Sequence, residues 1–139
     1  MRRNSPLRES ILALDAVAFP PPWNLSEDAF ARACAATGEH VVLVRHTTAG
    51  RIQGFAIVGR SATNAYLQRL AVHPQARRRG VARGLVRYAS AWAESRGADS
   101  LLVNTEPTNA PALALYGQLG FVLLPRRLSV LERMETRTR

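Results

Sequence analysis

Polar and apolar positions alternate along this chain with two periodicities, one typical of helices and the other of strands. Residues 8–19 place apolar side chains at every third or fourth position, which predicts an amphipathic helix ended by the prolines at 20–22. Asn24 and Glu27 have the spacing of a capping box, so a second helix is predicted to begin there and to end at Gly38. The chain is therefore predicted to open with a pair of helices.

Three strands are predicted to follow in direct succession. Residues 41–46, 51–58 and 65–72 are rich in β-branched and apolar side chains, and turn-forming residues at 47–50 and 61–64 separate them. Short turns join antiparallel neighbours, so these three strands are predicted to form a meander.

The second half of the chain alternates helix and strand. One helix is predicted to begin at Gly80 and to be closed by Gly97, and a shorter one over 109–119 to be closed by Gly120. The longer helix has one apolar face, formed by Val81, Leu85, Ala89, Trp92 and Ala93. Further strands are predicted at 100–104, near 121–124 and at 128–133. The strand–helix–strand crossover implies a parallel pair, so the predicted fold class is α/β, with a single mixed central sheet flanked by helices.

The segment before the long helix is the most distinctive part of the sequence. A strand ends at His73, three arginines follow at 77–79, and Gly80 begins the helix. The first turn of a helix has N–H groups without intrahelical partners and carries the positive end of the helix dipole. A glycine lets a phosphate approach these groups, and arginines add forked donors. The segment is therefore predicted to bind a pyrophosphate group.

The composition is typical of one globular domain. The chain has 139 residues, of which 47% are hydrophobic, and no apolar run approaches the roughly 20 residues of a membrane span. We expect a single domain over residues 1–139, with a motif-bearing core at 65–133 and a basic tail at 134–139. The single cysteine, Cys34, excludes an internal disulfide and is predicted to be a small core residue. With no visible signal peptide, the sequence favours a cytoplasmic protein.

The charge is strongly basic. All 19 basic residues are arginines, and the formal net charge is +9, which is compatible with an acidic partner such as nucleic acid. The arginines are scattered, however, and no stacking aromatics are interleaved with the cluster formed by 77–79 and Arg83, so nucleic acid is the less favoured partner. The three histidines lack partners at metal-ligand spacing, and no metal site is predicted.

Two short motifs narrow the prediction further. Residues 77–82, Arg-Arg-Arg-Gly-Val-Ala, follow a strand and have the pattern Q/R-x-x-G-x-G/A, while residues 109–121 match N-x-x-A-x-x-L-Y-x-x-x-G-F at every position. Both resemble signatures of the GNAT superfamily of N-acetyltransferases. The likeness covers roughly residues 8–133, and residues 19–23 are also similar to the corresponding segment of the ribosomal-protein N-terminal acetyltransferases.

This resemblance implies the acyl-CoA N-acyltransferase (GNAT) fold, with acetyl-CoA as co-substrate. The loop amides at 77–82 would hold the pyrophosphate, the strand backbone at 70–72 would pair with the pantetheine arm, and Asn109 would hydrogen-bond that arm. The acetyl-CoA-binding residues so implied are Leu70, Ala71, Val72, Arg77, Arg78, Arg79, Gly80, Val81, Ala82, Arg83, Asn109, Ala112 and Tyr116.

The resemblance also implies that Tyr116 lies beside the thioester sulfur. A phenol with a pKa of about 10 can protonate a departing thiolate of similar basicity, so Tyr116 is the candidate general acid. By its position on an amphipathic helix alone, Tyr116 would be a core aromatic. Asn109 is likewise expected to cap its helix, with or without a ligand contact.

The sequence departs from the ribosomal-protein N-terminal acetyltransferases before the second motif. Those proteins carry a glutamate within Leu-Glu-Val, whereas residues 101–103 here read Leu-Leu-Val, so Leu102 replaces the proposed base. Glu106, in a longer following loop, is the substitute candidate; otherwise water accepts the proton of the amine. The strand that usually opens this fold has little room before residue 8 and is expected to be short or missing.

Together these features predict an acetyl-CoA-dependent N-acetyltransferase. A primary amine would attack the thioester directly, through a tetrahedral intermediate and without an acyl-enzyme, while a backbone N–H near residues 70–72 polarises the carbonyl. The alternatives are a non-catalytic acyl-CoA-binding module and an acetyltransferase acting on a nucleic-acid-bound or protein N-terminal amine. No membrane partner is expected, and a homodimer is a common assembly in this family.

Overall fold

Two helices precede a mixed sheet, as the sequence predicts. The structure is a computed structural model and describes residues 6–105, 109–123 and 130–134. Helix α1 spans Pro6–Ala18 and helix α2 spans Glu27–Ala35. Both helices turn an apolar face toward the same side of the sheet, where they cover a common core cluster.

The start and end of α2 differ from the sequence prediction. The Ser26 hydroxyl, and not Asn24, caps the helix by accepting a hydrogen bond from the Ala29 N–H at 3.0 Å. The predicted capping box is wrong because the helix begins at Glu27, directly after a serine that can cap it. The predicted end at Gly38 is also wrong, because the helix ends three residues earlier, at Ala35.

Within the described residues, the sheet has six strands in the order β1-β2-β3-β4-β6-β5. The strands are β1 (Glu39–His46), β2 (Ile52–Ser61), β3 (Asn64–Val72), β4 (Ser100–Asn104), β5 (Phe121–Leu123) and β6 (Val130–Met134). The first three strands form the predicted antiparallel meander, and β3 and β4 run parallel, as the crossover predicted. Strand β6 pairs antiparallel with both β4 and β5.

The other two long helices cover the opposite face of the sheet. Helix α3 (Val81–Ser95) connects β3 to β4, and helix α4 (Ala110–Gln118) connects β4 to β5. Together with the sheet they enclose the larger core cluster, against which the predicted Trp92 packs only partly buried. Across the ranges that the structure describes, no helix is long and apolar enough to cross a membrane.

Several predicted boundaries shift by a few residues. Strand β2 extends beyond the predicted 51–58, so a turn of two residues leads into β3. Met134, predicted in the basic tail, belongs to β6 because it pairs with Ser100 of β4. The expected short or missing first strand would fall on residues 1–5, which lie outside the described residues, as do 124–129 and 135–139.

Cys34 is half-buried on α2 and packs against the core cluster beneath α1 and α2. Burial raises the pKa of the Cys34 thiol. A raised pKa leaves the thiol protonated and poorly nucleophilic, so the structure agrees with a packing role for this residue.

Candidate functional site

Strand β3 separates from β4 about halfway along the length of β3. Their parallel register ends where Leu67 pairs with Val103, although β3 continues to Val72. Residues 68–72 therefore have β2 on one side and a gap on the other. A gap of this kind exposes a strand edge inside a sheet, where an extended ligand can pair with the backbone.

A β-bulge lies at the point of separation. The register of β3 against β2 skips Gln68, because Leu67 and Arg69 pair with consecutive residues of β2. An extra residue bends a strand and increases its twist, which turns the rest of β3 away from β4. The bulge also resets the alternation of side chains: Leu67 and Leu70 share the α3 face, while Ala71 faces α1 and α2.

The separated backbone directs hydrogen-bonding groups into the gap. The His73 N–H donates to the Gln53 carbonyl of β2 at 2.8 Å. Backbone polar groups of successive strand residues point to opposite sides, so Leu70 and Val72 direct theirs toward the gap. The backbone of Ala71, also predicted to bind the ligand, turns toward β2. Of the three predicted strand residues, Leu70 and Val72 are thus suited to backbone hydrogen bonds with a ligand in the gap.

A short loop joins this strand to α3. Pro74–Ala76 forms one turn of 3-10 helix, and the His73 Nδ1 atom accepts a hydrogen bond from the Gln75 N–H at 3.1 Å. The three predicted arginines, 77–79, follow immediately and are exposed. They stand at the surface directly before the first turn of α3.

Gly80 opens α3 in the left-handed backbone conformation, with φ +77°. A Cβ at this position would meet no atom of the described residues within 4 Å. The glycine therefore serves the backbone angle and also leaves free space before the first-turn amides of Val81, Ala82 and Arg83. The Val81 side chain is buried in the core, so this residue offers a ligand its backbone alone.

Arg83 and Asn109 connect α4 to its surroundings. Arg83 Nη2 donates to Gln118 Oε1 at 2.8 Å, which links α3 to the end of α4. Asn109 Oδ1 accepts a hydrogen bond from the Ala112 N–H at 3.2 Å, which confirms the expected cap. Its amide nitrogen remains a donor for a ligand. The ligand contacts of Arg83, Asn109 and half-buried Ala112 stay predictions.

Tyr116, on α4, is buried in the core cluster on the α3 side of the sheet. The residue is 5% exposed, and its ring centroid lies 5.2 Å from that of Phe121. Burial raises the pKa of Tyr116 to about 12. The phenol therefore keeps its proton at any working pH, but it is a weaker acid than an ordinary tyrosine. The predicted match in basicity between this phenol and a thiolate is lost.

We expect the raised pKa of Tyr116 to make the fold sensitive to alkali. The unfolded tyrosine ionises near pH 10 and the folded one near pH 12, so this contribution to stability is complete below pH 10 and is lost as the pH rises toward 12. Urea unfolding should show wild type losing about 2 kcal/mol more between pH 9 and pH 11.5 than Tyr116→Phe does. Tyr88→Phe, at an exposed tyrosine of α3, is the control, and its free energy of unfolding should change with pH as that of wild type does.

A groove of about 350 Å³ lies where β3 and β4 separate. Its lining residues are Asn64, Tyr66, Leu67, Gln68, Leu102, Val103 and Asn104. None of these side chains is charged. Tyr66 pairs in register with Leu102, the residue that the resemblance predicts to take the place of a glutamate. The sequence analysis missed the polar members of this groove, although they alternate along β3 with the core residues Ala65 and Leu67.

Glu106, the candidate base, lies outside the described residues, so its role stays a prediction. Over residues 6–105, 109–123 and 130–134, no group of three or more His, Cys, Asp and Glu side chains gathers as a metal site would require.

A buried ion pair that the sequence analysis missed joins α1 to β3. The Asp15 side chain is fully buried, and its carboxylate accepts hydrogen bonds from Arg69 Nε at 2.8 Å and Arg69 Nη2 at 2.9 Å. It also accepts a hydrogen bond from the Leu25 N–H at 2.6 Å. Arg69 Nη2 donates in addition to the Trp23 carbonyl at 3.0 Å. The pair therefore holds the α1–α2 connection against the sheet.

We expect Asp15→Ala to destabilise the fold strongly. The change leaves a partly buried guanidinium and the Leu25 N–H without their acceptor, and breaking a buried pair costs about 3 kcal/mol or more. Glu39→Ala is the control, because Glu39 forms salt bridges with Arg60 and Arg96 in which all three side chains are substantially exposed; it should cost less than about 1 kcal/mol. Urea unfolding at neutral pH measures both, and equal losses would contradict this account.

Comparison with known proteins assigns the fold and the family. The sequence matches the acetyltransferase (GNAT) family over residues 8–121. The fold is similar to that in the crystal structure of the ribosomal-protein-S18-alanine N-acetyltransferase from Escherichia coli, with a TM-score of 0.82, 21% identity, and coverage of 98% of this chain and 93% of that chain.

Two curated relatives extend the comparison. The [ribosomal protein bS18]-alanine N-acetyltransferase of Escherichia coli K12 is 35% identical over 100 residues, covering 72% of this chain and 64% of the relative. The streptothricin acetyltransferase of Streptomyces lavendulae is 39% identical over 74 residues, covering 52% of this chain and 39% of the relative. The matches thus span less than two thirds of either relative. The family match covers most of the chain and the motifs lie on the predicted elements; the chain belongs to the acetyltransferase (GNAT) family.

Proposed function

We propose that this protein is an acetyl-CoA-dependent N-acetyltransferase that acts on a primary amine. The observation that carries the proposal is the bulge at Gln68, which coincides with the end of β3–β4 pairing. The strand beyond the bulge leads directly to the glycine-opened helix α3. One continuous path therefore offers a backbone edge followed by a phosphate-binding helix terminus.

The residues along this path suit the coenzyme A portion of acetyl-CoA, which is a substrate of the reaction and leaves as free coenzyme A. The first-turn amides behind Gly80 would bind the pyrophosphate, with the exposed arginines 77–79 as additional donors. Leu70 and Val72 would pair with the amides of the pantetheine arm through their backbone groups, as an added strand does. The open space beside Gly80 supports this fit, since no described residue other than its chain neighbours crowds the start of α3 where a Cβ would lie.

The chain's own contribution to the chemistry is mainly polarisation by fixed dipoles. A backbone N–H of the separated strand donates to the carbonyl oxygen of the acetyl group, where negative charge develops as the amine attacks. Tyr116 holds its proton throughout the working pH range. As a weak acid it serves the departing sulfur best as a hydrogen-bond donor, which stabilises the developing thiolate before a proton is transferred.

The acceptor that best suits the groove is the α-amino group of a peptide. Amide side chains such as Gln68 and Asn104 pair well with peptide backbone, and none of the described residues that line the groove carries a charge to attract a polycation. The net charge of +9 also repels polycations. Where no carboxylate acts as base, an α-amine with a pKa of about 8 is deprotonated more readily than a lysine near 10.4. The alanine acceptor named for the Escherichia coli relative supports the same choice.

The test combines binding with an acceptor panel. Calorimetry should detect binding of acetyl-CoA and CoA to the full chain, and thiol release should rise when a peptide with N-terminal alanine is added. An N-terminally blocked lysine peptide, spermidine and streptothricin complete the panel and should react more slowly. Absence of acetyl-CoA binding would refute the proposal. A faster reaction of spermidine or streptothricin than of the alanine peptide would overturn the choice of acceptor.

A second candidate function is a non-catalytic acyl-CoA-binding module. Leu102 favours it, because an apolar side chain stands where the ribosomal-protein N-terminal acetyltransferases carry a glutamate. Tight acetyl-CoA binding without thiol release against any amine would select this function. Cys34, as a lone half-buried thiol, supports placing either function in a reducing compartment such as the cytoplasm.

A further inference from the structure

Asp15 and Arg69 form a contact for which the proposed chemistry has no role. We propose that this pair is a positioning device of the acceptor site, which fixes the segment 19–25 against β3 beside the bulge. The inference rests on the proposed N-acetyltransferase function and adds two residues to it, neither of which touches the reacting atoms.

The guanidinium of Arg69 contacts the segment at more than one point. Besides both oxygens of Asp15, it holds the Trp23 carbonyl, and it lies 4.2 Å from the centroid of the Phe19 ring. The Asp15 carboxylate in turn holds the Leu25 N–H. The ion pair therefore contacts the segment near its start, at Trp23 and at its end.

The place of Arg69 on β3 connects this segment to the gap. Arg69 directly follows the bulged Gln68 and directly precedes Leu70, whose backbone groups face the gap. Its side chain lies on the α1–α2 face, where it binds Asp15 of α1, and Tyr66 lies on the same face because it alternates with the core residues at 65 and 67. Trp23, 72% exposed, stands on the fixed segment and is available to an incoming acceptor.

The chemistry of the pair suits positioning better than simple stabilisation. Apolar residues of similar volume stabilise a fold as well as a buried ion pair does, but they do not fix direction. A forked guanidinium that binds both oxygens of one carboxylate sets angle as well as distance. Lysine keeps the charge and loses the fork, so Arg69→Lys separates geometry from electrostatics.

The experiment measures the steady-state constants of Arg69→Lys and Asp15→Asn with acetyl-CoA and the best amine of the panel. We expect KM for the amine to rise about tenfold, because a small misplacement of a reactant is costly, while the Kd for acetyl-CoA changes less than twofold. Amide hydrogen exchange over residues 19–25 should become faster in both variants. The double variant should have a KM for the amine no higher than that of the more impaired single variant, since both changes break the same contact.

Arg60→Lys is the matched control, because Arg60 Nε also donates to a carboxylate, that of Glu39, at 2.8 Å on the same sheet. It should leave KM for the amine and exchange over 19–25 unchanged. A purely structural role would lower the melting temperature and the active fraction of the Asp15 and Arg69 variants without raising KM, and that result would overturn the inference. Wild type that transfers acetyl to no amine would instead refute the proposed function.

Discussion

Replacing Gly80 with aspartate is expected to raise the Kd for CoA about 100-fold, which corresponds to about 2.7 kcal/mol. The space that a side chain at position 80 would enter holds no atom of the described residues beyond its chain neighbours, so the new carboxylate can extend beside the first turn of α3, where the pyrophosphate is proposed to bind. Juxtaposed like charges cost several kcal/mol at a binding interface. Aspartate tolerates the left-handed backbone better than most residues, so the helix should still form. Calorimetric titration with CoA measures the change.

Gly97→Asp provides the matched control for this prediction. Gly97 lies just beyond the other end of α3 and has φ +83°, and a Cβ added there would likewise meet no described atom within 4 Å. The backbone strain of the two substitutions is therefore similar, and only the first adds charge at the proposed phosphate site. Equal loss of CoA affinity in both variants would show that strain in α3, and not occupation of the phosphate site, is responsible.

Tyr116→Phe is expected to lower kcat at least about 100-fold, the range that loss of a positioned proton or hydrogen-bond donor produces. The change removes one oxygen and keeps the ring against Phe121, so the Kd for acetyl-CoA should stay within about twofold. Because the pKa of Tyr116 is raised to about 12, the wild-type rate should not decline through loss of this proton at pH 9 or 10. Stopped-flow thiol release over pH 7–10 measures both expectations.

Tyr88→Phe is again the control, since Tyr88 is exposed on α3 and far less buried than Tyr116. It should leave kcat unchanged. If Tyr116→Phe keeps the wild-type kcat, Tyr116 is a core aromatic with no role in catalysis. The departing thiolate must then be stabilised by solvent.

The elements of this fold could be predicted from sequence because their signals are local. Helical periodicity, the closing glycine at 120 and the asparagine cap of α4 each depend on residues within one or two turns. The same holds for the glycine at the start of α3, where the backbone angle and the open space follow from one residue and its neighbours. Even among local signals, neighbouring polar residues compete to cap the same helix, and Ser26 caps α2 where Asn24 was expected to do so.

The bulge and the ion pair could not be predicted in the same way, because both depend on contacts between distant parts of the chain. The bulge leaves one local trace: apolar core positions of β3 pass from Leu67 to Leu70, a step of three in a strand of period two. Asp15 leaves another, since a carboxylate on the apolar face of α1 requires a buried partner. The identity of that partner, 54 residues away, follows only from the fold.

The separation of β3 and β4 divides the sheet into two groups of strands. Four register pairs join the meander of β1, β2 and β3 to the group formed by β4, β5 and β6, and they all lie at one end of β3. We expect a ligand bound in the gap to complete the ladder from inside and to resist rotation of one group against the other. By thermodynamic reciprocity, the factor by which such a ligand favours the joined arrangement is the factor by which that arrangement favours the ligand. Acetyl-CoA binding and the pairing of the two half-sheets are thus expected to stabilise each other.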